Sequence, residues 1–270
     1  MAAAAPRTAP VSYLDSHTAP EMGRSYDEYY ETTPFLGYIW GQEQAVLDTI
    51  LSEFYDETAV DLLDFACGTG RIAAALENSV RSATGVDVSE SMLDVAREKL
   101  HRTELINANL LDEPALKGRT YNLITAFRFF PNAEPELRSG ALQALEPLLT
   151  DDGYFVFNNH QNASAMYTRL ARAYHRLRHR PTYPALSLTE CEKLLATVGL
   201  QIERIYPLGL LHLPSVDLPH ALYRAADKLA ASSRILAAHT EMPIIVARRS
   251  TRTGVAAHTR SPLAACSPQA

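Results

Sequence analysis

Asp64, Gly68, Gly70 and Asp87 are the residues whose types and spacing could do chemistry. The two carboxylates each end a short apolar run, and the glycines lie between them in Asp64-Phe65-Ala66-Cys67-Gly68-Thr69-Gly70-Arg71. Glycine permits positive φ and lets a ligand approach the main chain closely, and the alanine-rich helical pattern opening at Arg71 offers unpaired N–H groups. Such a turn suits a nucleotide. Gly68-x-Gly70-x-x-Ala73 also satisfies a dinucleotide pattern. Asp64 argues for a different ligand, because a carboxylate at the strand's end repels a pyrophosphate and attracts an ammonium group. Asp87, in Thr84-Gly85-Val86-Asp87-Val88-Ser89, is placed to accept hydrogen bonds from ribose hydroxyls. An adenosine with a cationic amino-acid tail satisfies both. The simpler alternative makes both carboxylates strand-end turn formers, and it leaves their joint occurrence in this order unexplained.

A second set of polar residues follows later strands. Tyr121 to Phe127 reads as a strand ending in Phe127-Arg128-Phe129-Phe130-Pro131-Asn132, and Gly153 to Asn158 as another, ending in Asn158-Asn159-His160-Gln161-Asn162. The carboxyl edge of an open α/β sheet is where ligand chemistry sits. His160 is the general-base candidate there, since imidazole titrates near neutrality, with a non-catalytic loop histidine as the alternative. Arg128 stays protonated and cannot be a base, but it can bind an anionic substrate group or the cofactor region. Asn132 is expected to cap the helix beginning near Glu134. His212 is a runner-up base.

These residues are positioned by alternating strands and helices. Val60 to Phe65 is a buried-strand pattern, and Gln42 to Tyr55 an amphipathic helix. The stretch from Asp64 to Gly70 resembles motif I of the class I S-adenosylmethionine-dependent methyltransferases, an acidic residue followed by G-x-G-x-G, with Ala66 at the first glycine position. The resemblance continues through Val86-Asp87-Val88-Ser89-Glu90-Ser91-Met92-Leu93, similar to the family's ribose-binding turn and a helix capped by Ser89, and covers residues 40 to 205. It implies a Rossmann-like, doubly wound α/β sheet of seven strands, order 3-2-1-4-5-7-6, with the last strand antiparallel.

It also implies S-adenosylmethionine as cofactor, held by Asp64, Ala66, Gly68, Gly70, Asp87, Val88, Met92 and Phe127, with Tyr26 from an N-terminal aromatic lid around Tyr26, Tyr29, Tyr30, Phe35, Tyr38 and Trp40. In Asn109-Leu110-Leu111-Asp112-Glu113-Pro114, Asn109 and Leu110 stand where the family contacts adenine, Asn109 supplying a carbonyl in place of the usual aspartate. Asp112 is the rival.

The expected organisation is a disordered arm over 1–20, a methyltransferase domain over 21–249 with its cofactor core at 41–160, and a disordered tail over 250–270. Substrate-side helical inserts are expected at 161–186 and 208–241. The second insert departs from the family, which normally returns directly to the last strand. Its face of Leu222, Ala225, Leu229 and Leu236 walls the substrate or contacts a second copy, giving a homodimer. Arg169, Arg172, Arg176 and Arg180 recur at helical spacing opposite Leu170, Tyr174 and Leu177, which is either a solvated face or a site for an anionic substrate or RNA.

Composition bounds the rest. In 270 residues, 47% apolar and 21% charged, no apolar run reaches spanning length, so no membrane partner is expected. The N-terminal stretch lacks the apolar block of a secretory signal. Cys67, Cys191 and Cys266 are three scattered cysteines, which argues against a disulfide framework or a metal site and for a reducing cytoplasm. A net charge of −6 disfavours nonspecific nucleic-acid binding. The expected activity is methyl transfer to a small-molecule acceptor. The rivals are a nicotinamide-dependent oxidoreductase, disfavoured by Asp64 and by the lack of a Tyr-x-x-x-Lys pair, and a cofactor-holding member of the fold without methyl transfer.

Overall fold

The computed structural model of the chain describes residues 34–55, 60–112, 115–180, 184–212 and 218–250. The expected arm, most of the expected tail, Cys266 and Tyr26, Tyr29 and Tyr30 lie outside these residues. The elements are α1 (Pro34–Phe54), β1 (Asp61–Phe65), α2 (Arg71–Leu76), β2 (Ser82–Asp87), α3 (Glu90–Lys99), β3 (Thr103–Asn107), β4 (Tyr121–Ala126), α4 (Pro135–Leu145), β5 (Leu149–Asn158), α5 (Met166–Leu177), α6 (Leu188–Ala196), β6 (Leu200–Tyr206), α7 (His220–Ala231), α8 (Arg234–Ala237) and β7 (Ile244–Arg249). The strands form one seven-stranded sheet in the order β3-β2-β1-β4-β5-β7-β6. β7 pairs antiparallel with β5 and with β6, while the other pairs are parallel. The expected architecture is the observed one.

Alternation along the strands divides the core into two layers. Leu62, Leu123, Val156 and Val246 face one layer, with Val46, Leu47 and Ile50 of α1 and Ile72 and Leu76 of α2. Leu63, Ile124, Phe155, Phe157 and Ile245 face the other, with Leu142 and Leu145 of α4 and Cys191 and Leu195 of α6. Their parallel strands are therefore apolar on both faces.

α1 starts before Gln42. Gly37 and Gly41 lower its helix propensity, but a Cβ at either would meet nothing within 4 Å, and Phe35, Leu36, Tyr38 and Ile39 are buried. Burying such side chains is worth about 1.5–3 kcal/mol each, more than the roughly 1 kcal/mol each glycine costs. β5 likewise starts at Leu149, which pairs with Tyr121 ahead of a register shift that leaves Asp151 and Asp152 exposed.

Two expected caps differ. Ser89 holds the N-cap position of α3 without a side-chain capping bond, its hydroxyl lying 3.1 Å from Ser91 Oγ. Asn132 does not cap α4: its Nδ2 donates to Arg128 O at 2.8 Å, and the N-cap is Glu134. In both places a nearer polar group takes the side chain.

Gly70 fixes how the first turn seats on α3. Its φ is +75°, and a Cβ there would lie 2.6 Å from Leu100 Cδ1 and 3.1 Å from Ala96 Cβ. Gly70→Ala is therefore expected to destabilise the fold by about 2–4 kcal/mol, combining left-handed strain with overpacking. A urea midpoint that falls with an unchanged slope is the measurement that checks this.

Candidate active site

The turn after β1 is built from three consecutive constraints. Ala66 has φ 52°, Gly68 54° and Gly70 75°, all in the left-handed region. Alanine occupies that region with strain that glycine avoids. The Gly70 N–H donates to Cys67 O at 2.9 Å, and the Cys67 N–H donates to Val86 O at 3.1 Å, so the turn is closed on itself and tied to β2. Asp87 then pins it from the neighbouring strand end. Its Oδ2 accepts from the Gly68 N–H at 2.8 Å, and its Oδ1 from the Ser89 N–H at 2.9 Å.

Asp64 lies in the last part of β1, paired with Gly85 on one side and Thr125 on the other. It is almost wholly buried. The Thr125 hydroxyl donates to Oδ1 at 2.8 Å, whereas Oδ2 has no hydrogen-bond partner of normal geometry. Burial pushes its carboxyl up to about 7, a rise that the Thr125 hydroxyl and the Ala73 N–H oppose and Asp87 assists. Burial, with Asp64 and Asp87 nearby, also holds the Cys67 thiol well above its usual range, so it is no nucleophile.

Asp64, Ala66, Gly68, Asp87, Val88, Met92, Asn109, Leu110, Phe127 and Arg128 all line one cleft with about 950 Å³ of empty space, part of it open to solvent. Gly70 and His160 are not among its lining residues. Gly70 acts through packing. Asn109 sits in the turn beyond β3 and braces it: its Oδ1 accepts from the Leu111 N–H at 3.2 Å and its Nδ2 donates to Asp112 Oδ2 at 2.6 Å. One carbonyl lone pair of Asn109 thus remains for a ligand. Asp112 does not line the cleft.

Arg128 is held in place on every side. Its φ is 62°, and its N–H donates to Asn158 Oδ1 at 2.7 Å. Its guanidinium donates to Glu43 Oε1 at 3.0 Å, an oxygen that also accepts from Asn158 Nδ2 at 3.0 Å. Arg71 Nη2 lies 3.8 Å from Glu43 Oε2, and the Arg71 guanidinium stacks 4.6 Å over the Trp40 ring. Glu43 is 0% exposed. A buried carboxylate of α1 therefore joins the first turn to the end of β4.

His160 is buried at 8% exposure, and its Nδ1 has no hydrogen-bond partner among the described residues. Burial, and then the charges of Arg128 and Arg71, pull its pKa well below 6.5, so the imidazole is neutral. His212 stacks on Phe35 at 4.1 Å and lies 4.3 Å from Tyr167. Burial lowers it to about 4. Nearby in the insert, Glu241 accepts from the Thr168 hydroxyl at 2.5 Å and is raised to about 7 by burial. Among the described residues no group of three or more His, Cys, Asp or Glu side chains is placed to hold a metal ion.

Sequence reasoning missed Glu43 and Glu241. Glu43 had a signal, since it occupies the apolar stripe of α1 with Ile39, Val46 and Ile50, where a charge needs a partner. Glu241 had none, because it lies in a loop between α8 and β7.

Residues 62–153 match the model of a family described as a methyltransferase domain. An uncharacterized methyltransferase of Oceanobacillus iheyensis is 24% identical over 112 residues, which are 42% of this chain and 52% of that protein. The uncharacterized methyltransferase YrrT of Bacillus subtilis is 26% identical over 128 residues, 47% of this chain and 60% of that protein. The chain thus spans about half the length of these relatives. Among solved structures, the magnesium protoporphyrin IX methyltransferase of Synechocystis PCC 6803 with bound SAH superposes with a TM-score of 0.62 at 13% identity, over 88% of this chain and 98% of that one. An S-adenosylmethionine-dependent methyltransferase of Clostridium acetobutylicum gives a TM-score of 0.56 at 14% identity, over 84% and 98%. The fold is that of the class I S-adenosylmethionine-dependent methyltransferases.

The buried Asp64 carboxyl has a stability consequence. Its folded pKa of about 7 lies above the ordinary carboxyl value of 3.8, so the native state binds the extra proton, and stability is lost as pH rises through that window. Asp64→Asn is expected to raise stability at pH 8 by about 2–4 kcal/mol, with the gain fading toward pH 4. Melting temperatures of the two proteins across that range check it, at about 2–4 °C per kcal/mol.

Proposed function

We propose that this chain transfers a methyl group from S-adenosylmethionine to a small-molecule acceptor. The observation that carries the reading is the pair of strand-end carboxylates on one glycine-turned cleft. Asp64 offers a buried oxygen without a partner of normal geometry, which fits the ammonium of an amino-acid tail. Asp87 stands one strand away, placed for ribose hydroxyls, and it already orders both turns that face the cleft. Met92 and Leu110 give apolar walls for a base, with Asn109 as a polar partner.

When bound, S-adenosylmethionine supplies an electrophilic methyl group on a sulfonium. The protein's part is to orient the acceptor and exclude water. Phe127, in the cleft wall, adds an aromatic face suited to a cation. Arg128 is committed to Glu43, so its role is to hold the end of β4, and its charge adds to burial in keeping His160 neutral. The depressed pKa keeps the His160 imidazole neutral, with one ring nitrogen unprotonated, through the neutral range, at the cost of basicity. It stands outside the cleft lining, so service as the base requires the acceptor to reach past the cleft wall.

Asp87→Ala is expected to weaken S-adenosylhomocysteine by about 1.5–3 kcal/mol per lost charge-assisted hydrogen bond, at least tenfold. Calorimetric titration beside NADH and NADPH tests this, and binding of a nicotinamide instead contradicts the reading. With an acceptor found by transfer of labelled methyl, His160→Ala should lower turnover by about 100-fold or more with little change in cofactor affinity. Unchanged turnover removes His160 from the mechanism.

A further inference from the structure

The most apolar face of α5 is exposed among the described residues. Along the helix the buried residue is Thr168, which points to Glu241. Met166, Leu170, Tyr174 and Leu177 recur every three or four residues and so share one stripe. They are 64%, 63%, 48% and 78% exposed. A helix that only packed on its own domain would turn that stripe inward. Arg169 and Arg176 stand exposed on the flank, and Arg178 and Arg180 continue the charge. No Asp or Glu occurs between Gly153 and Thr189, in a chain whose net charge is −6.

We propose that this face docks on the surface of an anionic phospholipid bilayer, with α5 in the interface plane, its stripe at the acyl boundary and its arginines on headgroup phosphates. Charge complementarity selects this occupant. A second copy meeting the same face across a two-fold axis would set arginines against arginines. The sequence expectation of no membrane partner rested on spanning length alone. No helix among the described residues is long and apolar enough to cross a membrane, and a helix lying on the surface needs no such length.

Co-sedimentation of the full chain with vesicles of phosphatidylcholine, with and without about a quarter phosphatidylglycerol, tests this. The chain is expected to sediment with the anionic vesicles and to be released several-fold when NaCl rises from about 0.1 to 0.5 M. Leu170→Glu with Leu177→Glu should lower the partition coefficient at least tenfold, and Arg169→Glu with Arg176→Glu similarly, with circular dichroism unchanged because all four side chains are exposed. Absence of sedimentation with anionic vesicles overturns the proposal, as does equal sedimentation of wild type and both pairs. A concentration-dependent dimer that the leucine pair abolishes, without vesicle binding, also overturns it and assigns the face to a second copy.

Discussion

Burying Asp64 is the constraint on which the rest of the carboxyl edge depends. A carboxyl buried inside a parallel sheet loses its water, and here it recovers one hydrogen bond of normal geometry, from Thr125. The group responds by holding its proton to about neutral pH. Such a site is destabilising by itself and becomes favourable when a cation arrives. The three left-handed residues of the adjoining turn and the Asp87 brace keep the main chain open beside it. Fold and ligand are coupled through this one carboxyl.

A second buried charge ties that edge to the layer above. Glu43 reaches from α1 to Arg128 and toward Arg71, and shares Asn158 with Arg128. A buried ion pair is a poor source of net stability, but breaking it leaves a charge stranded, so it specifies one arrangement. Burial keeps the His160 imidazole neutral, and the arrangement adds two cations nearby that act in the same direction. α1, the end of β4 and the base candidate are thus one electrostatic unit.

Much of this was legible from local chemistry. The glycines and carboxylates of the first turn announce themselves because φ and charge at a strand end are local properties, and the alternation of strands with helices carries the layers. What escaped is long-range or directional. Glu43 finds its partners across the sequence, at Arg71, Arg128 and Asn158. Asn132 and Ser89 look like caps by type, and each side chain is held by a closer polar neighbour. In α5 and α7 periodicity reveals an apolar stripe but not its direction: Leu222 and Leu229 of the insert are exposed, while Tyr223, Asp227 and Ala230 face inward.

The claim that Asp64 waits as a neutral acid for a cationic ligand is tested most directly by counting protons. S-adenosylhomocysteine would be titrated calorimetrically in buffers of different ionisation enthalpy, with 5′-methylthioadenosine, which lacks the amino-acid tail, as the control. The account predicts release of close to one proton at pH 6, little at pH 8, and none for the control or for Asp64→Asn. Binding of the full ligand at pH 6 with no proton released, or with the same release from Asp64→Asn, would contradict it.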